Sequence, residues 1–534
     1  MKTILVPFLL LTTPLFAQAN ATAELMTYGD VLGGPCTATI SGATPSTVCA
    51  VLPSFQNTGS NALIAQTGDP NDALAIGVDL ASQGHYFTGM ADANGNVSIP
   101  FTIPNVPTLV DRDIWFQALS KPGQGGVNEY DSFSNIRWFN LNFNNRWQSA
   151  GSDLPTAVAN IGWDVLERGP NGNATKVFAC GGGPALMTDV QTPYPCSDQT
   201  WIYDLNTGET TLLPATLNES RAFHATTVLQ DGRVLVSGGV TYGGQKGNGD
   251  YFTKILNSAE IWDPATGVWT LLPPMNKYRA AQSASLLPDG RVLIAGGTEG
   301  SGAHELTDVA DLLGSSLKQT EYLDPSTLTW SNGPNLPEPK AGHGCVTLAD
   351  GRILMSGGIT YTTIFGIRIP DFSNQASIYD PATGNFSNAG SIGIKRALFA
   401  ETLLPSGEVA IFGGAGGDIF NVGPIKGCTL YDPATTSNSS LTPLLGDRAF
   451  GECVSIGGGK VVVIGGASGD LVDPIPNNNC WLFDVPNDTI TSLADMPEDH
   501  AGGVVELMED GTIYVGGGES NSGSSISTAI SYTQ

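Results

Sequence analysis

Five basic side chains, Arg221, Arg279, Lys340, Arg396 and Arg448, and one imidazole, His500, stand at the same point of a recurring stretch, and each is followed by Ala. The chain of 534 residues has 23 Lys and Arg against 50 Asp and Glu, a net charge of −27, so this column concentrates positive charge in an acidic protein. Positive charge focused in a cleft attracts carboxylates and other anions. A repeated Arg has a second possible job: tying down loop carbonyls and joining neighbouring units, a fold constraint that repetition would equally reflect. His224 and His343 share a column three residues past the cation, in the second and fourth repeats. Two His in non-adjacent repeats are too few for a metal site, so a hydrogen-bonded polar role is expected, with no metal and no cofactor. Glu401 and Glu452 lie five and four residues past their cations, on opposite faces of their own strands. They either meet across one interface, as a pair with one raised pKa suited to acid–base work, or point apart, and pairing with neighbouring Arg residues is the expected arrangement. No catalytic residue is assigned.

The elements that must position these residues follow one grammar. Gly-Gly pairs recur at Gly182-Gly183, Gly238-Gly239, Gly296-Gly297, Gly357-Gly358, Gly413-Gly414, Gly465-Gly466 and Gly517-Gly518, each after an apolar run such as Val461-Val462-Val463-Ile464. Before the last six pairs lies a turn Gly, at 232, 290, 351, 407, 459 and 511, which reads as a two-residue hairpin. The cation precedes that turn. In the first repeat its place is taken by Thr156-Ala157. After each of the first six pairs come a variable loop and an aromatic or apolar residue with Asp, as in Tyr203-Asp204 and Trp262-Asp263; Trp269, Trp330 and Phe386 follow in three repeats. Each unit is therefore four strands, a to d, and units of about 50 residues with this grammar match the Kelch pattern. The fold class is all-β: a seven-bladed Kelch-type β-propeller preceded by a small N-terminal β-sandwich. The last repeat stops at Ala529–Thr533, a strand c, while Arg146-Trp147-Gln148 looks like a strand d without a blade. A strand near 146–150 is thus expected to complete the last blade, leaving no unpaired edge. The loops Thr241–Ser258 and Thr298–Thr320 open on the cation side. Tyr242, Tyr251, Phe252 and His304 there are candidates for a ligand pocket, or for mobile decoration.

Three domains are expected. Met1-Lys2-Thr3, an apolar run to Phe16 and Ala17-Gln18-Ala19 form a signal peptide over 1–19, too short to span a bilayer. Residues 20–140 carry alternating runs such as Ala73–Val78 and Val97–Ile103 between turn clusters, a small β-sandwich. Asp92–Asn96 reads as an Asn-Gly hairpin turn and lacks the acids of a calcium loop. The segment Asn94–Asn105 resembles a hairpin of accessory domains in secreted proteins of environmental bacteria. The propeller fills 141–534. The acidic charge excludes nucleic acid and anionic membrane surfaces as partners, and no membrane insertion is expected. Export permits disulfides; Cys36 with Cys49 and Cys180 with Cys196 are the local pairings.

The repeat region, about 147–534, resembles the galactose oxidase/Kelch superfamily. Some members are copper-radical oxidases, which the resemblance ties to two Tyr and two His around copper. No Tyr-His pair occurs in this chain, so the oxidase constellation is not found. Other relatives are sugar-acid mutarotases that use an Arg- and acid-lined mouth. The resemblance implies recognition at the propeller mouth. The reading is a secreted or periplasmic binding module for an acidic peptide, glycan or protein, held by Arg221, Arg279, Lys340, Arg396, Arg448, His500, His224 and His343. The alternative is a carbohydrate-active enzyme, mutarotase-like or oxidase-like.

Overall fold

The computed structural model describes residues 87–102, 157–186, 193–300, 302–306, 314–365, 367–418, 421–471 and 474–520, with Leu154 and the strands that lie outside those ranges. The signal peptide expected over 1–19 lies outside the described residues. Among the described residues there is no α-helix, and no helix long and apolar enough to cross a membrane. The chain divides into two compact units, Met1–Arg146 with Thr533–Gln534, and Trp147–Tyr532.

The first unit holds a three-stranded sheet of Glu24–Tyr28, Pro35–Ser41 and Val97–Thr102. A four-stranded sheet runs Phe87–Met90, Val48–Ser54, Asp113–Lys121, Ser132–Asn140. The Asp92–Asn96 turn closes as a three-residue hairpin loop, with Asp92 N on Asn96 O at 2.8 Å, Gly95 N on Asp92 O at 3.1 Å and Gly95 at φ 81°, while the strands it joins continue in these two different sheets. Asp92 Oδ1 accepts the amides of Asn94 and Asn96 at 2.8 and 2.9 Å, so the carboxylate holds the turn itself.

Among the described residues the second unit contains seven four-stranded sheets. In the second repeat the order is Ala225–Val228, Val234–Ser237, Ala259–Asp263, Val268–Leu271. The second strands are buried on both faces, as Val234, Leu235 and Val236 show, and read as unbroken apolar runs. In the last sheet Arg146–Ser149 lies beside Ala529–Thr533, followed by Ile513–Gly516 and Val504–Leu507.

The turn after the inner strand has three residues, not two. Leu229 N donates to Arg233 O at 2.7 Å across Gln230-Asp231-Gly232, and the same closure recurs at Leu287, Leu348, Leu404 and Met508. A three-residue loop closes on a glycine in the left-handed region, and Gly232 has φ 82°.

Two chains of backbone hydrogen bonds link the repeats. The residue after the cation is Ala in every repeat: Ala159, Ala222, Ala280, Ala341, Ala397, Ala449 and Ala501, all buried. Each bridges the residue after its glycine pair, as Ala222 bridges Val240. The next residue has positive φ throughout: Asn160, Phe223, Ala281, Gly342, Leu398, Phe450 and Gly502. Each of these seven donates its amide to the carbonyl of the previous one, from Phe223 N on Asn160 O at 3.3 Å to Asn160 N on Gly502 O at 2.7 Å, which closes the cycle. A second cycle runs outside it. The second glycine of each pair donates to the carbonyl of the next repeat's cation position, as Gly239 N does to Arg279 O at 2.7 Å, and Gly518 N returns to Val158 O at 2.8 Å. Glycine is required there: a Cβ on Gly239 would lie 2.5 Å from Ala222 O, at φ 98°.

These cycles change the register of the first repeat. Its counterpart of the cation and Ala is Val158-Ala159, not Thr156-Ala157, because Gly518 N meets Val158 O and Ala159 bridges Gly183. Its glycine pair is Gly181-Gly182, with φ 66° and 103°, and Gly183 is the residue that follows the pair.

Candidate functional site

The cation column is buried. Arg221, Arg279, Lys340 and Arg396 are 0% exposed and Arg448 is 5% exposed. Arg221 Nη1 donates to Gly238 O at 2.8 Å, Arg279 Nη1 to Gly296 O at 2.7 Å, Lys340 Nζ to Gly357 O at 2.8 Å and Arg396 Nη1 to Gly413 O at 2.8 Å. In each case the acceptor is the first glycine of the cation's own repeat. A second carbonyl comes from the start of the third strand, as Gln319 O does for Arg279 at 2.9 Å. The side chains thus bolt the glycine turn to the third strand. The cations expected to line a mouth open to anions are thus buried, with these donors spent on backbone carbonyls. Burial lowers the pKa of Arg279, Lys340, Arg396 and Arg448, Arg396 to about 10. Burial also takes His500 to about 4, so its imidazole is neutral.

The acids that answer these cations carry a signal that repeat spacing alone did not single out. Arg221 pairs with Glu260 at 2.7 Å and Arg279 with Glu321 at 2.8 Å, all of them buried. Glu260 and Glu321 share one column, two residues before Trp262 and Leu323 of the aromatic-or-apolar and Asp step. A Glu at the second position of two third strands was the available sign.

His224 and His343 are not brought together. Each wedges against the preceding repeat: His224 Nε2 lies 3.5 Å from Cys180 Sγ, and His343 Nε2 lies 2.9 Å from Ser283 Oγ. Burial, with Arg221 and Lys340 beside them, takes both imidazoles down to about 3. Cys180 and Cys196 are both free thiols, so their expected pairing is not formed. Cys180 faces His224, while Cys196 points to Val240 O at 3.3 Å. Cys36 is outside the residues whose side chains are described.

Glu401 and Glu452 do not form a pair. Glu401 turns to the fourth repeat, accepting Ser356 Oγ at 3.0 Å and packing over Gly344. Glu452 instead lines a cavity of ≈ 240 Å³ beside the inner hydrogen-bond cycle, with Trp163, His224, Gln282 and Phe399. The space arises because Gly451 and Gly503 stand where other repeats carry His, Gln or Phe. Burial pushes the Glu452 carboxyl from 4.5 up to about 7. Between those values the folded chain holds a proton that the unfolded chain has lost. The stability associated with this group is therefore full below pH 4.5 and is lost as pH rises through about 7. Glu452→Gln is expected to match the parent at pH 4 and to exceed it at pH 8 by about 1–3 kcal/mol, read from urea unfolding at both pH values. An equal difference at both would overturn this.

A family model, the Kelch motif, matches residues 221–276. The second repeat, over 221–276, thus carries a Kelch motif. The match begins at the first bolted cation, Arg221, and runs through Glu260 to the end of that repeat. Among curated proteins the chain is similar to the F-box/kelch-repeat protein SKIP30 of Arabidopsis thaliana, 30% identical over 122 residues, which are 22% of this chain and 32% of that one. It is also similar to the Kelch-like protein terF of Aspergillus terreus, 26% identical over 190 residues, 34% of this chain and 37% of that one. The chain thus spans about a third of the length of these relatives. Among solved structures, a fungal alcohol oxidase of the AA5 family in complex with copper aligns with TM-score 0.49 and 18% identity, over 73% of this chain and 75% of that one. The structure of YjhT aligns with TM-score 0.45 and 16% identity, over 65% of this chain and all of that one.

Between the second and third strands several repeats carry hairpins. Val240–Gln245 and Tyr251–Ile255 pair with each other, and Glu305–Leu306 of the next repeat joins them as a third strand, so these loops are built structure. His304 stacks on Tyr278 at 3.8 Å, Tyr242 lies 6.4 Å from Tyr251, and Lys246 sits 5.3 Å over Phe252. In the fourth repeat Ile359–Ile364 and Ile367–Phe372 form a hairpin with Phe365 at its tip, 100% exposed and at φ 51°. Arg368 covers Tyr361 at 4.5 Å in the same hairpin.

Proposed function

We propose that the chain is an exported interaction module: a seven-bladed Kelch propeller over 141–534, preceded by a sandwich over 20–140 and a leader over 1–19, that binds a protein partner on its hairpin-bearing face. The two closed hydrogen-bond cycles support seven blades. The acidic net charge and the leader-like start support export and argue against a nucleic-acid partner. The observation that carries the binding reading is Phe365. A large apolar side chain held fully in water, on a residue in the left-handed region, is unfavourable for the fold by itself. Tyr242, 40% exposed, and the Arg368–Tyr361 stack add the aromatic and Arg groups that dominate interface energies.

The test is an array of peptides, proteins and glycans probed with the parent and with Phe365→Ser. The expected result is a partner of the peptide or protein class whose binding falls by about 30-fold or more in the variant, the size of an interface hot spot, with an unchanged melting temperature. Equal binding by both would remove the hairpin face as the site.

A further inference from the structure

The repeats are internal controls for one another at the bolted cation. In the second and third, Glu260 and Glu321 neutralise the guanidinium and also accept backbone amides: Asn218 and Glu219 at 2.7 and 3.1 Å, Asn276 and Lys277 at 2.7 and 3.0 Å. In the fourth, the third strand has Ser377 at that column, and the carboxylate comes from Glu338, two residues before Lys340, at 2.8 Å. In the sixth, Trp481 occupies the column and lies under the Arg448 guanidinium at 4.6 Å, while Asn479 Oδ1 accepts Nη2 at 2.9 Å.

The fifth repeat has neither device. Its third strand carries Thr429 in the acid column, and two residues before Arg396 stands Ile394. Arg396 Nη1 is held by Gly413 O and Gly427 O at 2.8 and 2.7 Å, but Nε and Nη2 are buried without a protein partner, and so is the Thr429 hydroxyl. Glu401, an acid that acts on Arg396 through space, accepts a hydrogen bond from Ser356 Oγ at its Oε2 instead. Gly393, the counterpart of Asn218, is exposed, and a Cβ on it would lie 3.4 Å from Thr429 Cγ2, so solvent lies next to the Thr429 side chain. A buried guanidinium without a counterion is strongly unfavourable, and three buried unpartnered donors at the two positions where sibling repeats pair a cation with a carboxylate have the chemistry of an anion site.

We propose that the fifth repeat binds a small monovalent anion, chloride or a carboxylate of formate size, between Arg396 Nε and Nη2 and the Thr429 hydroxyl, in the position that Glu260 and Glu321 fill in their own repeats. The anion acts as an exchangeable replacement for the missing acid, so it stabilises the folded state by mass action.

The test uses the full chain. Melting temperature is followed as chloride, bromide or formate replaces gluconate at constant ionic strength, for the parent, Thr429→Glu and Arg396→Met. The parent is expected to show a saturable rise of a few degrees, and the rank of halides against formate identifies the ion. Thr429→Glu supplies the acid internally, and its response is expected to be flat; Arg396→Met removes the cation, with the same result. Crystals grown in bromide are expected to show an anomalous peak at Arg396 in the parent and none in Thr429→Glu. If the parent shows a water in place of bromide, or if both variants keep the saturable response, the proposal fails. A bromide peak without any saturable effect in solution marks an adventitious ion only and also overturns it.

Discussion

A chain lacking residues 141–155 is expected to lose its cooperative unfolding transition, and the single change Trp147→Ala to cost about 3–5 kcal/mol. The strand Arg146–Ser149 stands beside Ala529–Thr533 in the last sheet. Trp147 is 6% exposed and packs among Val462, Ile464, Val505, Ile513 and Val515, which come from two successive repeats. Its indole donates to Ala494 O at 2.9 Å, as Trp330 donates to Pro273 O at 2.8 Å in the third repeat. Trp147 is therefore the aromatic of the outer strand, supplied from the other end of the sequence. Deletion exposes the edge of Ala529–Thr533 and undermines the sheet that holds Gly502 and Gly518, the closing members of both hydrogen-bond cycles. The loss spreads because every repeat leans on two neighbours, unlike an open array whose ends fray separately. Urea unfolding followed by tryptophan fluorescence and circular dichroism reads the effect, and a deletion variant that melts like the parent would rule it out.

Much of this architecture is legible because the repeat aligns residues that do one job. The Gly-Gly pairs, the Ala after the cation and the Asp of the third strand hold register in sequence since each is forced by backbone geometry: positive φ, a close carbonyl, an Asx turn such as Asp263 Oδ1 on the Ala265 amide at 2.8 Å. The first repeat misleads because its cation is replaced by Val158, so the nearest Ala in a plausible place, Ala157, attracts the alignment; the hydrogen bond from Gly518 and the Ala159–Gly183 bridge resolve the two-residue shift. The direction of the cations was not legible. A column of Arg at the head of inner strands looks the same whether it faces a mouth or a glycine turn, and what decides is the set of acceptors some 17 to 42 residues away, Gly238 and Glu260 for Arg221, Gly296 and Glu321 for Arg279. The cavity beside Glu452 was invisible for the opposite reason: it is made by two absent side chains, at Gly451 and Gly503, and sequence marks residues better than gaps.

Glu321→Ala is expected to destabilise the protein by about 3–5 kcal/mol, because it leaves the Arg279 guanidinium charged and buried. Arg279→Ala should cost a similar amount from the other side, since Glu321 is 1% exposed. The two changes together should cost less than their sum by about 0.5–3 kcal/mol, the coupling of a contacting pair. The double variant should still not reach the parent. Glu321 also accepts the amides of Asn276 and Lys277 at 2.7 and 3.0 Å, and Arg279 also fastens the carbonyls of Gly296 and Gln319 at 2.7 and 2.9 Å. Each single change strips two of those four backbone groups of their partner and the double change strips all four, and a buried unsatisfied group costs about 1–3 kcal/mol. Hence a loss of ligand binding in Arg279→Ala would not by itself locate a ligand at the column; unfolding in urea must be measured beside it. Additive single and double effects would mean that the pair contributes no coupling and that the bolt is made by the carbonyls alone. A coupled deficit in stability, with binding unchanged in the surviving folded fraction, would separate the buried column from the exposed hairpin face around Phe365.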